Sequence, residues 1–464
     1  MSILQSGSTN LMDYASANFL CSCGRMHSTD ILQILTGDAI LAQLRGLVTG
    51  QKGRCGQLLQ PGLDEILLVA DQNTWAVGGP VLAEVLEPLG FKLKTQIFPG
   101  QPVLVPDEKA VFSILDALTP GTGLLLAIGS GTLNDLVKYV SFKTRIPYYI
   151  IATAPSMDGY SSSGAPLIHN NLKMTFETAA PAAIIADNQL MATCPTVMLA
   201  AGLGDVLGKF SAVCDWRLGA LVNQEYYCPE VAKMVLDTVQ SSLDVADGLS
   251  KNEPAAVKQL FSSLLLTGIA MSYTGNSRPA GGSEHHLSHF WEMTFLSQGR
   301  APVMHGSKVG LGTIITCALY RHLLTFKPDF SAARTQASLF NSQAWIAEIW
   351  RTYPGSAESI ILLEQKIGKN DPVNVIPRIT RIEKAWPDIC QTISDTIPEP
   401  SVIAQALKLT QGAVRPEELG IEPQLVDDAV RYAHDMRDRF TVLQLYADLG
   451  LLEMAVQVTR DLFA

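Results

Sequence analysis

The chain is poor in charge. Asp, Glu, Lys and Arg make up 17% of its 464 residues, against 47% hydrophobic residues. Disordered chains show the opposite balance, so packed cores are expected throughout. No long run of one sign occurs, and the net charge is −10. This excludes a reader of nucleic-acid phosphates, which needs a basic face. A small anionic substrate needs only local cations and is still allowed. No window holds ~18 uninterrupted apolar residues, so membrane insertion is not expected. The opening MSILQSGSTNLMDYASANFL lacks the basic region, apolar core and cleavage site of a secretory leader. Cysteine is sparse, with eight residues scattered along the chain, as suits thiols in a reducing cytoplasm. Internal repeats are absent, and so is the GxGxxG dinucleotide fingerprint.

The length calls for more than one core. From about residue 60 to 187, short apolar runs alternate with helical stretches. EILLVAD, FKLKTQIF, GLLLAIG, PYYIIAT and AAIIAD read as strands. GGPVLAEVLEPLG, EKAVFSILDAL and LNDLVKYVSFKTR read as the helices between them. Alternation of this kind predicts a parallel sheet covered by helices, with ligands at the carboxyl ends of the strands. Beyond residue 188 strand-like runs become scarce and helical spacing takes over. The expectation is an α/β, Rossmann-like domain over 1–187 and an all-α domain over 188–464, with the active site in the crevice between them.

LLLAIGSGTLNDLVKY is strand, glycine turn, helix. Gly129 and Gly131 flank Ser130 and free the backbone to approach a diphosphate. Thr132 and Asp135 have capping-box spacing, so the helix should start there and offer its amides to phosphate oxygens. An ordinary strand-to-helix turn accounts for the same residues. The next strand ends in TAPSMDGYSSSG, a second polar turn expected beside the first at one sheet edge. Asp158 within it reads either as an Asx turn or as a group that orients a substrate hydroxyl. Asp71, closing the first strand, could accept a hydrogen bond from an adenine ribose.

Four of the eight histidines fall in GGSEHHLSHFWEM and the following VMHGSKVG. His285 and His289 share a helix face, with Glu292 beside His289, and His286 points about 100° away. His305 should stand at the turn into the next helix. A carboxylate ligand should come from elsewhere, and AGLGDVLGK supplies Asp205, with Lys209 one turn later. One Asp and two His suit Zn²⁺ or Ni²⁺ with a position open for substrate, where the ion acts as a Lewis acid on a carbonyl. Histidines packed in the core or standing on the surface are the competing reading. Ser283, Glu284 and Ser288 read as hydrated neighbours, against a purely apolar setting. CSCGRMHS offers two thiols and His27. With no second CxxC or HxxxH pair nearby, it reads as a turn at Gly24.

The set GSGTLND, TAPSMDGYSSSG, GLGDVLGK, SRPAGGSEHHLSHFWE and HGSKVG resembles, in that order, the sn-glycerol-1-phosphate dehydrogenases. These belong to the iron-alcohol-dehydrogenase and dehydroquinate-synthase-like superfamily. CSCGRMH and RDRFTVLQLYADLGLLE resemble the ends of the bacterial branch, so the likeness runs from about residue 20 to 455. It implies NAD(P)-linked interconversion of dihydroxyacetone phosphate and sn-glycerol 1-phosphate with one divalent metal, in a homodimer or larger homo-oligomer. Gly129, Ser130, Gly131, Thr132, Leu133, Asn134 and Asp135, with Thr153, Ala154, Pro155, Ser156 and Ser162, would hold the dinucleotide. Asp205, His285 and His305 would hold the metal. Asp158, Asp205 and His289 would meet the substrate, with Arg278 and Lys209 as candidate cations for its phosphate. The region from about 330 to 400 has no motif-by-motif match and bears on substrate identity. Two other readings remain: a dehydroquinate-synthase-like cyclase that recycles its cofactor, and a nucleotide-binding module without catalysis.

Overall fold

The computed structural model describes residues 4, 10–15, 17–49, 63–169 and 172–464. Residues 1–3, 5–9 and 16 of the opening segment read above as leader-free lie outside the described residues. The strands are β1 (Asn18–Leu20), β2 (Met26–Ser28), β3 (Gln33–Gly37), β4 (Glu65–Asp71), β5 (Lys92–Phe98), β6 (Thr122–Gly129), β7 (Tyr148–Ala152), β8 (Gly164–His169), β9 (Leu172–Glu177) and β10 (Ala183–Asp187). Six of them form one parallel sheet in the order β3-β10-β7-β6-β4-β5. The inner strands β6, β7 and β10 are buried at every residue. Strands covered on both faces require such continuous apolar runs. Ile66, Leu68, Leu126, Ile128, Ile151 and Ile185 form the middle of this core, each contributing about 1.5–3 kcal/mol by burial.

Helices α1 (Gln72–Leu86), α2 (Glu108–Ala117) and α3 (Gly131–Thr144) join the strands as expected. Three features lie outside the sequence expectation: the edge strand β3, the short antiparallel hairpin β1–β2, and the antiparallel hairpin β8–β9 inside the polar stretch after β7. The chain passes from β4 to β5 on one side, then returns to β6 on the other. The carboxyl ends of β4 and β6 therefore form a switch point of the sheet, where ligands bind.

The remaining principal helices are α4 (Thr196–Leu207), α5 (Lys209–Asn223), α6 (Pro254–Thr274), α7 (Ser283–Ser297) and α8 (His305–Leu323). The chain forms two compact units, one of residues 1–202 and 240–276, the other of 203–239 and 277–464. This differs from a single boundary after residue 187, and α6 shows why. It packs on the turn Gly159–Ser161, where the Ser161 hydroxyl donates to the Leu265 carbonyl at 2.7 Å. α6 thus belongs with the sheet. The described part of the second unit is helical, and the unmatched region folds as Phe330–Ser338, Ser342–Thr352, Ala357–Ile367 and Pro372–Thr396. Two helical stretches, Thr196–Asn223 and Pro254–Thr274, are long and apolar enough to cross a membrane, but 89% and 61% of their most apolar windows are buried inside the protein. Core helices have this character.

Candidate active site

In the first unit, Gly129 and Ala152 are paired across β6 and β7, and Thr153 N donates to Gly129 O at 3.1 Å. The two polar turns therefore leave the sheet side by side, as expected. The first regular bond of α3 runs from Asn134 N to Ser130 O at 3.0 Å. The amides of Gly131, Thr132 and Leu133 precede it and face out of the helix end, where anions bind. The capping box expected of Thr132 and Asp135 does not form. Ser130 holds the N-cap position without a side-chain bond, and Asp135 turns inward. There it accepts from Asn134 Nδ2 at 3.1 Å and faces Lys138 at 3.6 Å. Burial raises its pKa to about 6, against the opposing pull of Lys138 and Asn134.

Lys138 is fully buried. Its ammonium donates to the carbonyls of Gly159 at 2.7 Å and Gly164 at 3.0 Å, with the Ser162 hydroxyl at 3.4 Å. Burial lowers its pKa, while Asp135 and Asp158 favour its charge. This pair ties α3 to the second turn, and sequence reasoning missed it. The side chains of Leu133, Asn134 and Asp135 are all buried, which leaves their backbone as the part suited to a ligand. Asp71 caps α1, accepting from Thr74 N at 2.8 Å. Asp158 precedes the turn at Gly159 and makes no side-chain cap there. The second turn is also held from below: Tyr160 donates to the Ala154 carbonyl at 2.7 Å. A Cβ on Gly202 would collide with the Pro155 carbonyl, so glycine is required where α4 meets this turn.

In the second unit, α4 crosses α8 at Gly204. A Cβ there would collide with the carbonyl of Gly306. The close crossing sets Asp205, next to Gly204, against His305, next to Gly306. Donor atoms of Asp205, His285 and His305 all lie within 4.8 Å of one another. The His285 and His305 rings are 5.1 Å apart, and His285 Nε2 is 3.7 Å from Asp205 Oδ1. Ligands on a tetrahedral ion with bonds of about 2.0–2.2 Å stand ~3.3–3.6 Å apart. Small side-chain rotations close this set, so the residues present fit a divalent metal. His289 stands outside the donor group. Its ring is 6.0 Å from His285 and 5.6 Å from His305, and its Nδ1 is 3.6 Å from Glu292. Glu292 in turn lies 3.5 Å from the buried ammonium of Lys308.

The shell behind these ligands is more built than the sequence suggested. Ser283, Glu284 and Ser288 read as hydrated; all three are fully buried. Glu284 Oε1 lies 2.7 Å from His285 Nδ1 and also accepts from Gly282 N at 2.8 Å, while Oε2 accepts from Ser211 at 2.6 Å. Burial pushes the Glu284 pKa up, but these bonds outweigh it and leave it lowered. A carboxylate on Nδ1 fixes the tautomer and aims Nε2 at the ion. Behind it, Asp215 accepts from Ser283 N and Oγ at 2.6 and 2.7 Å, from Val442 N at 2.7 Å and from the Tyr320 hydroxyl. Burial, with Glu284 nearby, raises Asp215 to about 7. His286 is buried, and burial with Lys369, Arg439 and Arg437 lowers its pKa, so it stays neutral.

Two expected phosphate cations have other tasks. Lys209 is fully buried, 2.7 Å from Asp205 Oδ1. Burial would raise Asp205, but Lys209, His305 and His285 outweigh it and hold the carboxyl below its ordinary range. Arg278 is buried against Glu225 and donates to the Phe440 carbonyl at 3.1 Å. Both make internal ion pairs, where the sequence expectation gave them a substrate phosphate.

A phosphate-ready sheet edge and an Asp–His–His donor set suit a metal-dependent dehydrogenase. The family profile of iron-containing alcohol dehydrogenases matches residues 49–195. Glycerol dehydrogenase from Schizosaccharomyces pombe has the same fold, with a TM-score of 0.55 and 14% identity over 96% of this chain and 94% of that one. The chain is 34% identical over 388 residues to glycerol-1-phosphate dehydrogenase, NAD(P)+, of Halalkalibacterium halodurans, covering 83% of this chain and 87% of that protein. Its counterpart from Geobacillus stearothermophilus is 30% identical over 439 residues, or 93% and 96% of the two chains. The chain is thus an enzyme, an oxidoreductase with the fold of the iron-containing alcohol dehydrogenases. Within that class, the chain belongs to the glycerol-1-phosphate dehydrogenase family.

Proposed function

We propose that the chain interconverts dihydroxyacetone phosphate and sn-glycerol 1-phosphate, using NAD(P) and one zinc or nickel ion. The observation that carries this reading is the convergence of Asp205, His285 and His305 in a chain of this family. A divalent ion bound there supplies Lewis acidity to the ketone oxygen, and the nicotinamide supplies or accepts hydride. Asp205 offers a carboxylate that Lys209 keeps ionised. His285 offers Nε2, with Nδ1 committed to Glu284. His289, one turn along α7 from His285, contacts the substrate and stands where its ring can hold or pass a proton. Asp158 orients a substrate hydroxyl. The loop Gly129-Ser130-Gly131 and the amides of Gly131, Thr132 and Leu133 hold the diphosphate, with Asn134 and Asp135 behind them. Thr153 to Ser156 and Ser162 line the same cofactor, and the second oxygen of Asp71 is left for a ribose. Zinc and nickel both accept this nitrogen and oxygen set. The working form is a homodimer or larger assembly in the cytoplasm.

The test is spectrophotometric. NADH or NADPH is mixed with protein and dihydroxyacetone phosphate, and loss of the reduced cofactor is followed. The reverse reaction should accept sn-glycerol 1-phosphate and refuse the 3-phosphate. Absence of cofactor oxidation with either nucleotide contradicts the reading. Turnover of a heptulosonate phosphate without net cofactor change would move the chain to the cyclase class.

A further inference from the structure

The hairpin β1–β2 takes no part in the chemistry above. Its strands pair over three residues each, with Phe19 opposite His27 and Leu20 opposite Met26. A ribbon this short does not hold itself in water, and Leu20 and Met26 are mostly exposed. Gly24, at φ +82°, closes the turn, with Cys21 N donating to Arg25 O at 2.9 Å and Gly24 N to Cys21 O at 3.0 Å. The turn gathers Cys21, Cys23 and His27, each bringing a donor atom within 4.8 Å of the others. Both cysteines are thiols, not halves of a disulfide. Cys21 and His27 are buried.

The orientation of His27 is the second observation. Its Nδ1 lies 2.6 Å from the Tyr273 carbonyl on α6. A carbonyl only accepts, so Nδ1 carries the proton and Nε2 presents its lone pair. That lone pair faces Cys23 Sγ at 3.5 Å. On a tetrahedral zinc ion, with Zn–S about 2.3 Å and Zn–N about 2.0–2.1 Å, sulfur and nitrogen ligands stand about 3.5 Å apart. A ring locked by a backbone carbonyl on its far nitrogen is how metal-bound histidines are held.

We infer that Cys21, Cys23 and His27 bind a structural zinc ion that fastens the N-terminal hairpin to α6. Two thiolates and an imidazole select zinc over hard cations. Each thiol gives its proton to solvent as its Zn–S bond forms, with no change of oxidation state. Phe19 sets its ring edge-on to Tyr273 at 5.5 Å, and His27 stacks on Tyr273 at 5.7 Å, which walls the site with aromatic rings. It shares no ligand with Asp205, His285 and His305. Read along the chain alone, the segment had no fourth donor; folding supplies the geometry that spacing could not.

The test uses the intact protein, prepared zinc-replete. An organomercurial takes the thiolates, and the freed zinc is read with a chromogenic chelator. A single equivalent per chain is expected from wild type and from His305→Ala, and none from Cys23→Ser. No release from wild type, or unchanged release from Cys23→Ser, overturns the site. If Cys23→Ser does not fold, cobalt-substituted wild type decides. Thiolate-to-cobalt charge-transfer absorption is expected there and in His305→Ala, and its absence overturns the site. Intensity matching three thiolates supports it and shows that a further cysteine completes the shell.

Discussion

The two polar clusters are built on opposite plans. In the first unit the charged side chains Asp135 and Lys138 turn inward and clamp two turns together, leaving backbone amides as the surface suited to phosphate. In the second unit the backbone closes up at Gly204 and the side chains themselves converge. A site made of amides should tolerate side-chain replacement at its rim. A site made of side chains should not.

The largest expected effect is His305→Ala. Losing one of three metal ligands should lower kcat/KM by about 10³-fold or more, because the ion contributes several kcal/mol. Elemental analysis should show the matching loss of metal. Full activity in metal-free mutant protein would break the contrast on its side-chain half.

Asp215 gives a stability effect. Its folded pKa is raised to about 7, above an unfolded value near 3.9. The folded state therefore holds an extra proton between these values, and stability falls as pH rises through that window. The difference in unfolding free energy between wild type and Asp215→Asn should decline from about pH 4 to 7, by as much as ~4 kcal/mol. Denaturant titrations at several pH values read it, and parallel curves would contradict the buried, proton-sharing role.

Glu284→Gln comes next. Removing the carboxylate behind a metal-bound histidine should weaken metal affinity about 10–100-fold, measured by competition with a chelator. The smallest effect belongs to Thr132→Ala. Its amide survives, so nucleotide affinity should change by less than about 0.5 kcal/mol. A large loss in that titration would show that the phosphate-facing edge depends on side chains after all.

Much of this was legible in the chain. Four strands of the sheet, β4, β6, β7 and β10, are continuous apolar runs, as a doubly covered parallel sheet demands. The histidine cluster stood out because histidine is scarce. What escaped depends on partners far along the chain. β3 reads QILTG, too short and too polar to declare itself, yet it pairs with β10 from Ala183 opposite Gln33 to Asp187 opposite Gly37. The polarity of Ser283 and Glu284 suggested water, but Asp215 and Ser211 supply their partners from α5. Lys138 escaped notice, because nothing local shows that its ammonium ends on the carbonyl of Gly159. Thr132 and Asp135 had capping-box spacing, but burial of Asp135 against Lys138 took precedence over local capping.

The central claim is that Asp205, His285 and His305 meet on a single ion. Anomalous diffraction at the metal edge, from crystals of the protein as isolated, tests it most directly. The account predicts a peak bonded by one Asp205 oxygen, a ring nitrogen of His285 and a ring nitrogen of His305. Metal-replete crystals with no peak between those three side chains would contradict it.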